Sequence, residues 1–278
     1  MQSEKTNETF KCSLNIMNAK LATLSSIGQK INDHLNPLFE ILNSFTIWSG
    51  NFVLNLNDLN YSIEERKQKM VSYIIWGEYG WTPIPTADYF LFDTPPIDQS
   101  DSNKIAMAHF NKSNLCKFFE LLLGIKGVKK ADVIEAIKCF ENKCYKACAL
   151  ILFSLIDAKL IHLQPTKEIN QNRSRKPGKN GMCELKNYVE NSETHTMFFE
   201  ILTINNLYSC CSKFFERGND FSIPLTTINR NFLSHGMYTK KVLKRECIQI
   251  FLLYYNLLLF IDNFDITKNR VCNYIMSK

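Results

Sequence analysis

The chain is short of the two residues that interrupt helices. Glycine occurs 10 times and proline 8 times in 278 residues, too few for a turn-rich β-sandwich. No GxGxxG and no GxxxxGK[ST] occurs anywhere in the sequence, which counts against a dinucleotide-binding fold and a P-loop NTPase. None of the ten cysteines forms a CxxC pair. None stands at zinc-finger spacing with a histidine, so a structural zinc site is not expected. The opening MQSEKTNET is polar and no apolar stretch of signal-peptide type follows it. A cytoplasmic protein with reduced and mostly buried thiols is the expectation.

Long apolar runs are missing as well. The best candidate is CIQIFLLYYNLLLFI at 247–261, shorter than the ~18–20 residues a membrane span needs and interrupted by Gln249 and Asn256. A second run, ACALILFSLI at 147–156, lies between Lys146 and Asp157. Both read as central core helices, and no membrane partner is expected. His34, His109, His162 and His195 have no metal-like partner three or four positions away, so neither a metal nor a cofactor is expected.

What is present is an ordinary globular composition, 45% hydrophobic and 22% charged. The net charge of +6, from 33 basic and 27 acidic residues, permits a nucleic-acid partner without requiring one. Apolar residues recur with helical spacing over 9–47, with a break or kink at Pro37. They recur again over 62–76, where Ser62 and Glu65 have the spacing of a capping box. Residues 77–103, with Gly77, Gly80, Pro83, Pro85, Pro95 and Pro96, predict a long irregular connection whose aromatics pack onto the body. Trp76 and Trp81 fit such packing better than base stacking. Helices are predicted over 112–123, 131–142, 143–162, 184–215 and 225–235, the last capped by Thr226 or Thr227. A final helix runs from Lys244 to Asp262. Between them, 164–181 has no apolar period. Its Arg173, Arg175 and Lys176 make it a solvated connector or an RNA-touching basic arm. The fold class is therefore all-α, with an N-terminal helical region at 1–125 and a helical domain at 126–278.

The chemically richest stretch is INRNFLSHG at 228–236. Asn231 and His235 are four apart and share a helix face, and the long side chain of Arg230 can reach towards it. A guanidinium grips phosphate through its planar fork, and histidine is the side chain suited to moving protons near neutral pH. The alternative is structural: a polar cap beneath the last helix.

Arg230-Asn231-x3-His235 resembles the signature of the HEPN superfamily, helical domains of bacterial toxins and antiviral ribonucleases. The likeness extends through INRNFLSHGMYTKKVLKRECIQIFLLYYNLLLFI, similar to the C-terminal half of such domains. It also extends to IEAIKCFENKCYKACALILFSLIDAKLI, which is similar to the earlier helix pair of the abortive-infection branch and contains Asp157. Residues 130–265 carry the resemblance well and the N-terminal half weakly. Toxins silenced by nucleotidylation have a tyrosine two positions after the histidine. Here Met237 occupies that place, followed by Tyr238, and the likeness does not reach that mechanism.

The resemblance implies a C-terminal HEPN-like bundle and a homodimer through 126–278. It also implies metal-independent cleavage of single-stranded RNA, in antiviral defence or as a toxin. On that model the 2′-hydroxyl attacks the adjacent phosphorus. His235 handles a proton, Arg230 stabilises the phosphorane charge, Asn231 holds geometry, and Asp157 supports Arg230 or His235. Many HEPN domains keep the fold without the chemistry, so a catalytically silent dimerisation module that binds RNA or a partner protein is the alternative. A third reading is a ligand sensor in which the N-terminal half gates the C-terminal one.

Overall fold

The computed structural model describes residues 61–163, 178, 181–183, 186, 198–216 and 227–263. The helices expected over 9–47 and the basic residues Arg173, Arg175 and Lys176 lie outside the described residues. Among the described residues the regular structure is helical and no strand occurs, so the all-α expectation holds. The chain divides into two units, Met1–Gly50 and Asn51–Lys278. Every described residue belongs to the second unit, and the boundary expected at 125/126 falls within it.

The first described helix, α1 (Ile63–Glu78), starts with the capping box read from the sequence. Ser62 Oγ accepts from Glu65 N at 3.2 Å, and Glu65 Oε2 accepts from Ser62 N at 2.7 Å. Past the C-cap Tyr79, Gly80 has a φ of +81°, which permits a Schellman turn. In that turn Trp81 N donates to Trp76 O and Gly80 N to Gly77 O, both at 2.9 Å.

The stretch 77–103 is less irregular than expected. A 3-10 turn, Tyr89–Asp93, is capped by Asp88. It is tied to α1 by the Lys69–Asp93 ion pair and by Ser72 Oγ donating to Phe92 O at 2.7 Å. A helix, α2 (Gln99–Met107), begins at the Asp98 cap. Its buried positions are Ser102 and Ala106, so no large apolar residue marks its inner face. Trp76 and Trp81 are buried in the core, their indole N–H groups donating to Thr94 O at 2.9 Å and Asn103 Oδ1 at 3.0 Å. They pack, as expected, and offer no face for a base.

The remaining helices follow the periodicity. They are α3 (Lys112–Gly124), α4 (Lys130–Glu141), α5 (Tyr145–Leu163), α6 (Phe198–Phe214), the one-turn α7 (Arg230–Ser234) and α8 (Lys244–Asn263). α1 lies along α6, α4 against α5, and α8 against both α5 and α6. α8 is the central element, with residues 246–260 all buried. Phe251 meets Phe119 and Phe140 with ring centroids 5.1 and 5.9 Å apart, and Tyr255 meets Phe118 at 5.5 Å. Each such ring withdrawn from water stabilises the fold by about 1.5–3 kcal/mol.

The polar residues that interrupt the apolar run of α8 have a defined use. Gln249 Nε2 donates to Tyr79 O at 2.9 Å. Asn256 Nδ2 lies 2.9 Å from Thr82 Oγ1 and 2.8 Å from Pro83 O. From α6, Asn206 Nδ2 donates to Tyr73 O at 2.8 Å and Trp81 O at 3.0 Å. Carbonyls within α1 and at its exit thus accept from amide side chains of α6 and α8. Among the described residues no helix is long and apolar enough to cross a membrane.

The thiols correct the expectation in part. The eight described cysteines are free, and Cys148, Cys210, Cys211 and Cys247 are buried. Cys139 and Cys183 are half-buried, however, and Cys116 and Cys144 are exposed. The last two sit on the solvent sides of their turns and not on the apolar stripe.

Candidate functional site

The site is built around α7. Its N-cap is Asn229, not Thr226 or Thr227 as the sequence suggested. Asn229 Oδ1 accepts from Asn231 N at 2.8 Å and Phe232 N at 3.3 Å. Its Nδ2 donates to Lys213 O at 3.3 Å and Glu216 O at 3.0 Å. This fully buried amide therefore caps the start of α7 and also satisfies carbonyls at the end of α6. The far end of α7 closes with another Schellman turn, at Gly236 with φ +73°. Met237 N donates to Phe232 O at 2.8 Å and Gly236 N to Leu233 O at 3.3 Å. Phe232 and Leu233, buried beneath the turn, anchor it.

With both ends fixed, the outward positions are determined. Arg230 is the first helical residue. Its Nε donates to Asp157 Oδ2 at 2.7 Å, and its Nη2 lies 2.6 Å from the same oxygen. The two side chains are 24% and 11% exposed, a pair largely withdrawn from water and open on one side. Arg230 Nη1 donates to Asn231 Oδ1 at 3.3 Å, and Asn231 Nδ2 donates to Glu216 O at 3.1 Å. The other Asp157 oxygen, Oδ1, accepts from Gly178 N at 3.2 Å. Gly178 has φ +88°, where a side chain would be strained.

A guanidinium has five N–H donors. The Nε–H donates to Asp157 Oδ2 and one Nη1–H to Asn231 Oδ1, while Nη2 lies against the same Asp157 oxygen as an ion pair. At least one N–H on each terminal nitrogen remains. That is the pair of donors that can meet two oxygens of a phosphate while Asp157 holds the plane in place.

His235 is the C-cap of α7 and is exposed. Its backbone N–H donates to Asn231 O at 3.0 Å. One turn of helix thus separates the arginine and the histidine along the α7 axis. Among the sequence-derived candidates, Arg230, Asn231 and Asp157 come together in one hydrogen-bonded group, with His235 at the opposite end of the same turn.

The sequence reading missed several supporting groups. Asn229 could have been found, since asparagine directly before a short helical stretch is a strong cap signal. The Gly178 N–H and the Glu216 carbonyl act through backbone atoms, so residue identity does not name these contacts, although the positive φ of Gly178 favours glycine there. Tyr238, beyond the turn, donates its hydroxyl to Glu246 Oε1 at 3.0 Å, while Glu246 Oε2 accepts from Leu243 N at 2.7 Å. Burial first, and then the Glu246 charge, push the Tyr238 phenol well above its ordinary range. Beneath Asp157, the fully buried Cys211 thiol is pushed up by burial, then by Cys183 and Asp157. Among the described residues no group of three or more His, Cys, Asp or Glu could hold a metal ion.

No family model, no curated protein and no solved structure matches this chain.

Proposed function

We infer that this chain is a metal-independent endoribonuclease that cleaves single-stranded RNA with Arg230, Asn231 and His235 at an interface between two copies. It acts in antiviral abortive infection or as a toxin. The observation that carries the reading is the state of Arg230. It is fixed on one side by Asp157 Oδ2 and Asn231 Oδ1, and keeps one N–H on each terminal nitrogen for a ligand. An exposed histidine stands at the other end of the same helical turn.

The chemistry follows from those groups. The 2′-oxygen of one nucleotide forms a bond to the adjacent phosphorus and gives up its proton to a base. The bond from phosphorus to the 5′-oxygen breaks, and that oxygen takes a proton from an acid. The products are a 2′,3′-cyclic phosphate and a free 5′-hydroxyl. Negative charge grows on the phosphoryl oxygens between these events, and the two spare N–H groups of Arg230 stabilise it. Asp157 and Asn231 act as positioning residues. One base and one acid are needed, and one copy supplies one His235, so two copies around one phosphate complete the set.

The test is the purified full chain on end-labelled single-stranded RNA in EDTA. The expected result is shorter RNA with cyclic phosphate ends, and DNA of the same sequence left whole because it lacks the attacking hydroxyl. His235→Ala lowers the rate by roughly 10²–10⁴-fold. Intact RNA, or alanine variants at both Arg230 and His235 that cleave as fast as the parent, overturns the reading.

The closed Arg230–Asp157 pair favours one alternative. By itself it gives Arg230 a structural task, locking α7 to α5, as in a catalytically silent module that dimerises and binds RNA or a partner protein. That case retains an RNA gel shift without cleavage.

A further inference from the structure

The turn between α4 and α5 carries a feature that the reading above does not use. The helix α4 ends in a Schellman turn, with the non-glycine residue Lys143 at φ +60°. Lys143 N donates to Phe140 O at 3.1 Å, and Cys144 N donates to Cys139 O at 2.8 Å. This motif brings together the side chains of the two residues joined by its longer bond. Here both are cysteines.

The backbone geometry bounds their separation. A carbonyl oxygen lies ~2.4 Å from its own Cα, and an amide nitrogen ~1.5 Å from its own. With the 2.8 Å hydrogen bond between them, the Cα atoms of Cys139 and Cys144 are at most ~6.7 Å apart. Disulfides span about 4.4–6.8 Å between Cα atoms, so the turn holds this pair within the Cα separation a bridge requires. Cys144 is exposed and Cys139 half-buried, which leaves the pair open to small oxidants. Burial, the nearby Cys144 thiol and then Glu135 push the Cys139 thiol upward, as expected for two thiols within electrostatic reach.

The neighbouring thiols are placed differently. Cys148 and Cys247 are buried in the core. A hydrogen bond between them, more than burial, pushes Cys148 far above the ordinary thiol range, so little reactive thiolate is available there.

We propose that Cys139 and Cys144 form a reversible dithiol–disulfide site, oxidised by hydrogen peroxide or an organic hydroperoxide and reset by a dithiol reductant. The exposed Cys144 sulfur attacks a peroxide oxygen, the O–O bond breaks, and Cys144 becomes a sulfenic acid with release of water or an alcohol. The Cys139 sulfur then attacks the Cys144 sulfur, the S–O bond breaks, and a second water leaves. In all, two thiols lose two electrons and two protons, and one peroxide is reduced. The closed bridge ties the last turn of α4 to the first residue before α5.

The sequence supplies a direct readout. Trypsin cleaves after Lys138, Lys143 and Lys146, so Cys139 lies in the peptide CFENK, Cys144 in CYK, and Cys148 in the following one. The reduced full chain is treated with stoichiometric hydrogen peroxide under native conditions, alkylated, digested and weighed. The expected species is CFENK joined to CYK, absent after dithiothreitol and absent in Cys144→Ser. It should form faster in the native chain than in the same chain unfolded in guanidinium. In Cys139→Ser, Cys144 should persist as a sulfenic acid that dimedone captures on CYK. Separately alkylated CFENK and CYK from the peroxide-treated chain overturn the proposal. So do a bridge to Cys116 or Cys148, and an unfolded chain that cross-links as fast as the native one. Cleavage of RNA enters none of these outcomes, so the site stands or falls apart from the ribonuclease reading.

Discussion

Arg230 and Asp157, 73 positions apart in the chain, meet through a single carboxylate oxygen. Both Nε and Nη2 of the arginine converge on Oδ2, and the backbone of Gly178 takes Oδ1. An arginine held in this way is oriented without being used up. The carboxylate is itself held, so the pair behaves as one rigid strut between α5 and α7.

Asp157→Asn tests the strut. It keeps the shape and removes the charge facing a guanidinium that is mostly withdrawn from water. Stability should fall by about 1–3 kcal/mol, between the values for exposed and buried ion pairs. Denaturant unfolding measures this. If the ribonuclease reading holds, kcat should fall more than KM rises, because RNA still binds while the guanidinium plane wanders. An equal loss in a variant that unfolds no more easily than the parent would speak against a positioning role.

Arg230→Lys separates grip from charge. An ammonium keeps the attraction to Asp157 but cannot meet two phosphate oxygens in one plane. The variant should fold close to the parent in its urea midpoint and cleave RNA scarcely better than Arg230→Ala. A lysine variant with parental activity would mean that the arginine serves as a point charge.

Two glycines should give opposite results. A Cβ at Gly77 would stand 2.5 Å from Asn206 O and 2.8 Å from Ser209 Cβ, so Gly77→Ala must push α1 away from α6. Overpacking of this kind costs about 1–3 kcal/mol or more. At Gly124, the last residue of α3, a Cβ meets nothing within 4 Å. Gly124→Ala should leave the thermal midpoint unchanged or raise it slightly. Thermal unfolding of the two variants side by side is the check.

Tyr238 gives an alkaline signature. Its phenol is raised in the folded state by burial and by Glu246, so the folded chain holds that proton more tightly than the unfolded chain. The resulting stability is fully present below the unfolded tyrosine range, near pH 10, and is lost as pH rises through the higher folded value. Urea midpoints of the parent and Tyr238→Phe should therefore differ by a constant amount up to about pH 10 and converge above it. A gap that stays constant into stronger alkali would show that the hydroxyl–Glu246 bond does not govern the titration.

Native thiol titration without reductant should separate the cysteines by exposure. Cys116 and Cys144 should react in the fast phase, and replacing either with serine should remove one equivalent from it. Cys148, Cys210, Cys211 and Cys247 should react only on unfolding. A buried thiol that reacts as fast as Cys116 would place an opening in the core.

Much of the fold could be read where local pattern and packing agree. The expected 112–123, 131–142 and 143–162 became Lys112–Gly124, Lys130–Glu141 and Tyr145–Leu163. The Ser62–Glu65 box is intact because its partners are three residues apart. The helix α2 was invisible because Ser102 and Ala106, not large hydrophobes, face inward. The start of α7 was misplaced because two threonines mimicked a cap that Asn229 supplies. Within the candidate site, the sequence marked Arg230, Asn231 and His235 as neighbours on one turn. It raised Asp157 only through a family likeness, because a contact across 73 residues is decided by how α5 lies beside α7. The Gly178 contact could not be read at all, since its donor is a backbone N–H.

The position of α8 in the chain sets a problem for synthesis. Ribosomes deliver helices in order, and the helix that α5 and α6 close around follows both of them. Until residue 260 or so has emerged, Phe119 and Phe140 lack Phe251, and the Tyr79 and Pro83 carbonyls lack the Gln249 and Asn256 amides. Those apolar faces and carbonyls therefore stay without these partners until α8 has been made, a state in which exposed apolar surface favours aggregation. Any site formed around α7, which stands just ahead of α8, would take its final shape only as α8 seats.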